Sequence, residues 1–216
     1  MESPGEFGMD STEADGQSAR AKRGTNPQLA EEDMASHQKK ARTEGRTIIF
    51  VDESGVSQRP HRCRTWAPRG QTPVLEYNFN WKSLSAVAGL TLLNFYFRLY
   101  PGAIKAPQVV DFLKALVRHV NRPLILVWDR LPAHRSGLVR EYIQSLNGQI
   151  SVEYLPPYAP ELNPVEYIWA YWKQNELPNV CSRDLWQLGE TARRTLGRMR
   201  RRRRLIGAFW QQASLW

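Results

Sequence analysis

The chain predicts an α/β fold in which one mixed sheet carries helices on both faces. Three observations predict it. Short apolar runs at residues 47–52, 124–129 and 150–155 have the length and β-branched content of buried strands. The stretches between and after the last two carry helical spacing. The order, strands first and then helix–strand–helix–strand–helix, joins an antiparallel part to parallel crossovers.

Residues 1–26 are rich in Gly, Ser, Glu and Asp, with Phe7 their only aromatic, and are expected to be disordered or a tail from an upstream start. Residues 27–44 predict a short polar helix in which Leu29, Met34 and Ala41 offer little to bury, so residues 1–45 read as a lead-in. The domain spans 46–205. Its first strand is 47–52, and a second is expected at 62–67, ending at the turn Pro68-Arg69-Gly70 with Trp66 in the core. Residues 83–91 and 94–100 form a hairpin-like pair. Residues 107–120 are apolar at 109, 110, 112, 113, 116, 117 and 120, a helical stripe with Pro107 in its first turn. The strand at 124–129, a helix at 136–146 and the strand at 150–155 follow. Helices at 163–176 and 183–204 close the domain, and 206–216 read as a tail.

Charge is unevenly spread. Residues 1–46 hold 7 Lys/Arg against 9 Asp/Glu, whereas residues 47–216 hold 23 against 12. The basic part is thus the folded part, which suits a polyanion such as nucleic acid, although a merely solvated basic surface has the same composition. Cys63 and Cys181, the only cysteines, make no ligand pattern for structural zinc. No apolar run is long enough for a membrane span and no secretory signal is visible, so a cytoplasmic protein is expected.

The chemistry lies in three carboxylates. Asp52 ends one strand and Asp129 another, and ligands of open α/β sheets bind beyond such strand ends. Glu166 follows the loop Pro156-Pro157-Tyr158-Ala159-Pro160-Glu161-Leu162-Asn163-Pro164 onto the first turn of a helix. Three carboxylates on rigid elements suit hard divalent cations, which leave coordination positions open for substrate phosphates. Singly, each has a plainer reading: an Asp after a strand as a turn or capping residue, Glu166 as a dipole partner. Glu53 rivals Asp52 but points to the opposite face by strand alternation.

The segments Val51-Asp52-Glu53-Ser54-Gly55, Trp66-Ala67-Pro68-Arg69-Gly70-Gln71-Thr72-Pro73, Trp128-Asp129-Arg130-Leu131-Pro132-Ala133-His134 and 155–166 resemble the catalytic domain of bacterial insertion-sequence transposases of the mariner-like superfamily. The resemblance covers residues 46–205. It implies a ribonuclease H-like fold and a D-D-E triad of Asp52, Asp129 and Glu166, separated by 76 and 36 residues. It further implies Mg²⁺ or Mn²⁺, two ions on those carboxylates, and DNA as substrate: cleavage at transposon ends, then strand transfer into a short target. A dimer in the DNA complex follows from pairing two ends, and a bacterial, nucleoid-associated location from the family. Such transposases also carry an N-terminal helix-turn-helix region, and none is legible in the 45 residues before this domain. The expectation is a catalytic half with a possible separate helix-turn-helix polypeptide, or an inactive or truncated fragment that only binds DNA. A nuclease for RNA–DNA hybrids fits the geometry without support from the motifs. Arg130 stands where related sequences often have Asn.

Arg69, in a turn, and Arg130 and Arg135, beside Asp129, are candidate phosphate contacts. His134 is a candidate for the scissile phosphate or for orienting the site, and equally a capping or packing residue. Lys173, two turns beyond Glu166, faces the same side. Arg200, Arg201, Arg202, Arg203 and Arg204 circle a helix and cannot all pack on protein, which leaves DNA phosphates or solvent. Trp169 and Trp172 read as core.

Overall fold

Thr47–Ser57 (β1) is the central strand of a five-stranded sheet in this computed structural model, which describes residues 27–77, 82–156 and 160–213. The first half of β1 runs parallel to Leu124–Trp128 (β4), from Thr47 opposite Leu124 to Phe50 opposite Val127. Its second half pairs antiparallel with Ser83–Leu90 (β2), from Phe50 opposite Leu90 to Ser57 opposite Ser83. Phe95–Pro101 (β3) flanks β2, and Ile150–Tyr154 (β5) flanks β4, giving the order β3-β2-β1-β4-β5. This mixed sheet with helices on both faces is the ribonuclease H-like fold. Asp129 follows the end of β4, but Asp52 does not end its strand as expected: it lies mid-strand opposite Ala88, because β1 continues along β2 to Ser57 after its parallel pairing with β4 stops at Phe50.

Alternation along β1 assigns the two faces. Phe50 joins Ala86, Ala88, Leu90, Ile125 and Val127 in a core shared with Pro164–Tyr171 (α4), Leu185–Arg200 (α5) and Arg203–Gln212 (α6). Ile49 and Val51 join Val87, Leu124, Leu126 and Trp128 under Ala106–Val120 (α2) and Gly137–Ser145 (α3). On this face a methyl group on Gly89 would meet Ile49 Cδ1 of β1 at 2.8 Å and Phe112 Cζ of α2 at 3.4 Å. Pro27–Thr43 (α1) packs on the first face. Met34 and Ala41 are buried there, so they contribute more than their number promises.

The helices start where local chemistry dictates. Ser136 Oγ accepts from the Val139 amide at the head of α3, and Asn163 Oδ1 accepts from the Val165 amide at the head of α4. Pro164 fills the first turn of α4, where a missing N–H costs nothing. The helix expected at 163–176 is divided: a 3₁₀ turn at Pro160–Leu162, then α4, then a π turn at Trp172–Glu176. The expected rigidity of the proline loop partly concerns Pro157, Tyr158 and Ala159, which lie outside the described residues, as do residues 1–26.

Three expectations are corrected. Residues 62–67 are not a strand: the segment makes one isolated bridge, His61 to Pro178, and Trp66 is fully exposed rather than core. All of Arg62, Arg64, Thr65, Trp66 and Ala67 are exposed and only Cys63 is half-buried. The helix expected through residue 204 stops at Arg200, because Arg202 takes a non-helical conformation. The stretch from 206 onward is no tail: α6 runs to Gln212 and buries Ile206, Phe209 and Trp210. Each such side chain contributes about 1.5–3 kcal/mol by leaving water, which offsets the cost of turning the chain inside an arginine run.

Candidate active site

Asp52 is 8% exposed, and its Oδ2 accepts a hydrogen bond from Trp169 Nε1 at 2.9 Å. Trp169 sits three residues beyond Glu166, one turn along α4. Burial, reinforced by the charges of Glu166 and Glu53, pushes the Asp52 carboxyl up to about 8, against the opposing pull of the Trp169 bond. No basic side chain figures among the groups that act on it.

Asp129 lies in the opposite electrostatic situation. Its Oδ1 meets His134 Nδ1 at 2.8 Å and accepts the Leu131 amide at 3.0 Å. The other ring nitrogen, His134 Nε2, reaches Glu53 Oε1 at 2.8 Å. The imidazole also stacks on Trp128, with centroids 4.1 Å apart and planes 6° from parallel. Burial favours neutral His134, but the Asp129 and Glu53 bonds outweigh it and raise the imidazole to about 9. Burial likewise works against Asp129 ionisation, and the bonds from His134 and Leu131 reverse it, leaving that carboxyl below its ordinary range. His134 is thus an imidazolium strut between two carboxylates. Its 1% exposure corrects the expectation that it contacts DNA: both nitrogens are engaged and neither can reach a phosphate.

Glu166 occupies the third position of α4 behind the Asn163 cap. Burial raises its carboxyl, the Lys173 charge lowers it, and the Asp129 charge raises it again. Glu166 therefore senses Asp129, and Asp52 senses Glu166. The three carboxylates share one corner of the sheet. Among the described residues no group of three or more His, Cys, Asp or Glu side chains is placed to hold a metal ion. The donor chemistry nonetheless fits a hard divalent cation. All three groups offer carboxylate oxygens, the one nearby imidazole is committed elsewhere, and burial together with the Glu166 and Glu53 charges disfavours an ionised Asp52 that a cation would stabilise.

The candidate phosphate contacts fall in separate places. Arg130 is exposed beside Asp129, with its guanidinium 5.5 Å from the Tyr154 ring centroid. Arg135 is exposed just before α3, and Arg69 in the turn at residues 68–71. Lys173 is half-buried in the π turn, close enough to Glu166 to act on it. The arginine run lies elsewhere. Arg200 covers Phe97 of β3 at 5.8 Å, and Arg202 reaches the Tyr171 hydroxyl and Glu176, whose carboxylate Arg198 also binds. Sequence reasoning took Trp169 for core alone and did not pair Glu53 with His134. The first had a signal, since a Trp one helical turn from Glu166 can reach what Glu166 faces. The second had none.

A family model described as DDE superfamily endonuclease matches residues 47–188, a span that includes all three carboxylates. No curated protein matches this sequence. Among solved structures, the chain is similar to the mariner Mos1 paired-end complex with Mg, at TM-score 0.62 and 16% identity over 99% of this chain and 66% of that one. It is similar to the Mos1 strand transfer complex at TM-score 0.54 and 20% identity, over 84% and 59%. It is also similar to the Mos1 transposase catalytic domain with raltegravir and Mg, at TM-score 0.53 and 17% identity, over 88% and 94%. The chain thus spans about three-fifths to two-thirds of the full transposase chains it matches and nearly all of the isolated catalytic domain.

Proposed function

Because this chain belongs to the DDE superfamily endonucleases, we propose that it cleaves DNA with divalent cations and, as the catalytic part of a transposase, joins the freed end to a target. The observation that carries this reading is the corner where Asp52, Asp129 and Glu166 act on one another through their charges. Asp52, Asp129 and Glu166 would hold Mg²⁺ or Mn²⁺, two ions in number, which when bound supply Lewis-acid activation of the attacking oxygen and stabilise the leaving one.

The remaining work belongs to the protein's own groups. His134 fixes the direction of Asp129 and keeps it ionised; Trp169 fixes the direction of Asp52 by donating to Oδ2, without overcoming the burial that raises that carboxyl. Lys173, Arg130 and Arg135 hold the phosphates on either side of the bond to be broken. In cleavage, water adds to phosphorus and the bond to the 3′ oxygen breaks, leaving a 3′-hydroxyl and a 5′-phosphate. In transfer, that 3′-hydroxyl attacks the phosphorus of a target phosphodiester, whose own bond to the 3′ oxygen breaks and leaves a 3′-hydroxyl on the target strand. Both are in-line displacements at one site.

The Mos1 structures are paired-end and strand-transfer complexes, which supports a dimer on DNA here as well. A separate helix-turn-helix polypeptide would supply recognition of the ends, and a bacterial nucleoid would be the site of action. The rival reading, a fragment that only binds DNA, is weakened by the retention of all three carboxylates with their supporting Trp169 and His134. Plasmid nicking in Mg²⁺ or Mn²⁺ is the test, comparing wild type with Asp129→Ala. Metal-dependent nicking confined to the wild type is expected. A folded wild type that binds DNA without ever nicking it supports the fragment instead.

A further inference from the structure

We propose that the concavity between the end of β1, the strap at residues 59–61 and Lys173 is a second phosphate site. It takes a backbone phosphate of the same DNA strand a few nucleotides from the bond cut. The proposal rests on the DNA-cleavage reading above and adds a subsite to it. The cavity measures about 210 Å³ and is lined by Gly55, Ser57, Arg59, His61, Lys173 and Leu177, among others, and none of its lining residues is acidic. A phosphate group with attendant water fits such a space, and the residues that line it supply only positive or neutral chemistry.

Three features make it a built site rather than a basic patch. The strap is pinned: Asn179 donates its amide to the His61 carbonyl at 2.8 Å, and its side chain holds Cys63 by two bonds, from the Cys63 amide at 2.9 Å and to the Cys63 carbonyl at 3.0 Å. Arg59 and His61 are therefore presented from fixed backbone. Second, neither side chain has a hydrogen-bond or ion-pair partner among the described residues, whereas Arg198 and Arg202 are spent on Glu176. Third, the site is continuous with the carboxylates. Lys173 lines it and also acts on Glu166. Val56, another lining residue, packs into the same core as Phe50 and so lies on the face of β1 that carries Asp52. Four residues of strand separate Val56 from Asp52, about 13 Å.

The test is binding of a fluorescent 30-base-pair duplex, read by anisotropy over a salt series, for the full chain, Arg59→Ala/His61→Ala, and Arg122→Ala as a distant control. Both altered residues are exposed, so folding should be undisturbed; matching thermal melts check this, and Arg59→Lys keeps the charge if the alanine form melts early. Loss of one phosphate contact should weaken binding by about tenfold and reduce the slope of log K against log salt by about 1. The lysine form and Arg122→Ala should keep the wild-type slope. A methylphosphonate scan adds position: one neutral linkage should weaken wild type and leave the alanine form unaffected. If the alanine form keeps the wild-type affinity and slope while wild type binds and nicks DNA, the second site is overturned and the cleavage reading stands. If wild type neither binds nor nicks DNA, both fall.

Discussion

Asp52, within β1, and Asp129, just past the end of β4, sit on neighbouring strands of one sheet, yet their surroundings are opposed. Asp52 is buried against Trp169 and faces Glu166 and Glu53, with no positive group acting on it. Asp129 is half-exposed and already neutralised by the His134 imidazolium, which Glu53 supports from behind. One half of the site is complete within the protein; the other is left short of positive charge. The difference teaches where a cation is needed. A metal bound here relieves Asp52 and Glu166 first, while Asp129 is held in place before it arrives.

The sharpest way to break this comparison is Asp52→Asn. Nicking should fall by on the order of a thousandfold, the scale for removing one charge-stabilising group. Yet the metal-free variant should melt higher than wild type at pH 8, because it sheds an ionised carboxylate with no counterion. A lower melting temperature in EDTA at pH 8 would show that Asp52 is not under electrostatic strain.

His134→Ala removes the strut from the other half. A loss of about 10–100-fold in activity or metal affinity is expected, typical of groups that orient a metal ligand. His134→Gln, which keeps two polar ends, should lose less. Equal losses in both would mean that the ring acts only by stacking on Trp128.

Metal-free stability should depend on pH through both halves. The Asp52 carboxyl is raised from 3.8 to about 8, so the folded chain holds a proton that the unfolded chain releases, and stability falls as pH rises through that window. His134, raised from 6.5 to about 9, has the same sign: its contribution is full below 6.5 and lost as pH rises through 9. A divalent cation replaces the proton on Asp52, so the rise in Tm with Mg²⁺ should be larger at pH 8 than at pH 6. Differential scanning fluorimetry with and without EDTA reads this directly, and a rise independent of pH would contradict it. Trp169→Phe should have the smallest effect. It keeps most of the packing and removes one bond of about 0.5–1.5 kcal/mol, a several-fold fall in nicking rate by plasmid assay.

Much of this was legible in the chain, for identifiable reasons. The apolar runs that lead into Asp52 and Asp129 announce their strands, although the continuation of β1 past Asp52 to Ser57 was not legible, and the cap at Asn163 with Pro164 announces the helix that carries Glu166. All three are local signals. The exposure of Trp66 was not legible, since a Trp among alternating residues reads as core until the sheet is known to hold no place for it. The break at Arg202 depends on Glu176 and Tyr171 accepting its guanidinium and on Ile206, Phe209 and Trp210 finding the sheet. The burial of His134 depends on Glu53, which lies 81 residues away in the chain. Such partners are chosen by tertiary packing, which no spacing rule records.

The edge-on contact of Trp210 with Phe50, centroids 5.4 Å apart, ties α6 to the strand that carries Asp52. During synthesis that strand is made early and its cover is made late. The face of the sheet under Asp52 stays open to water until residue 210 has cleared the ribosome, and the Asp52–Trp169 bond, spanning 117 positions, cannot be held dry before then. Messages that end short of α6 should therefore yield chains that carry every carboxylate and still cut nothing.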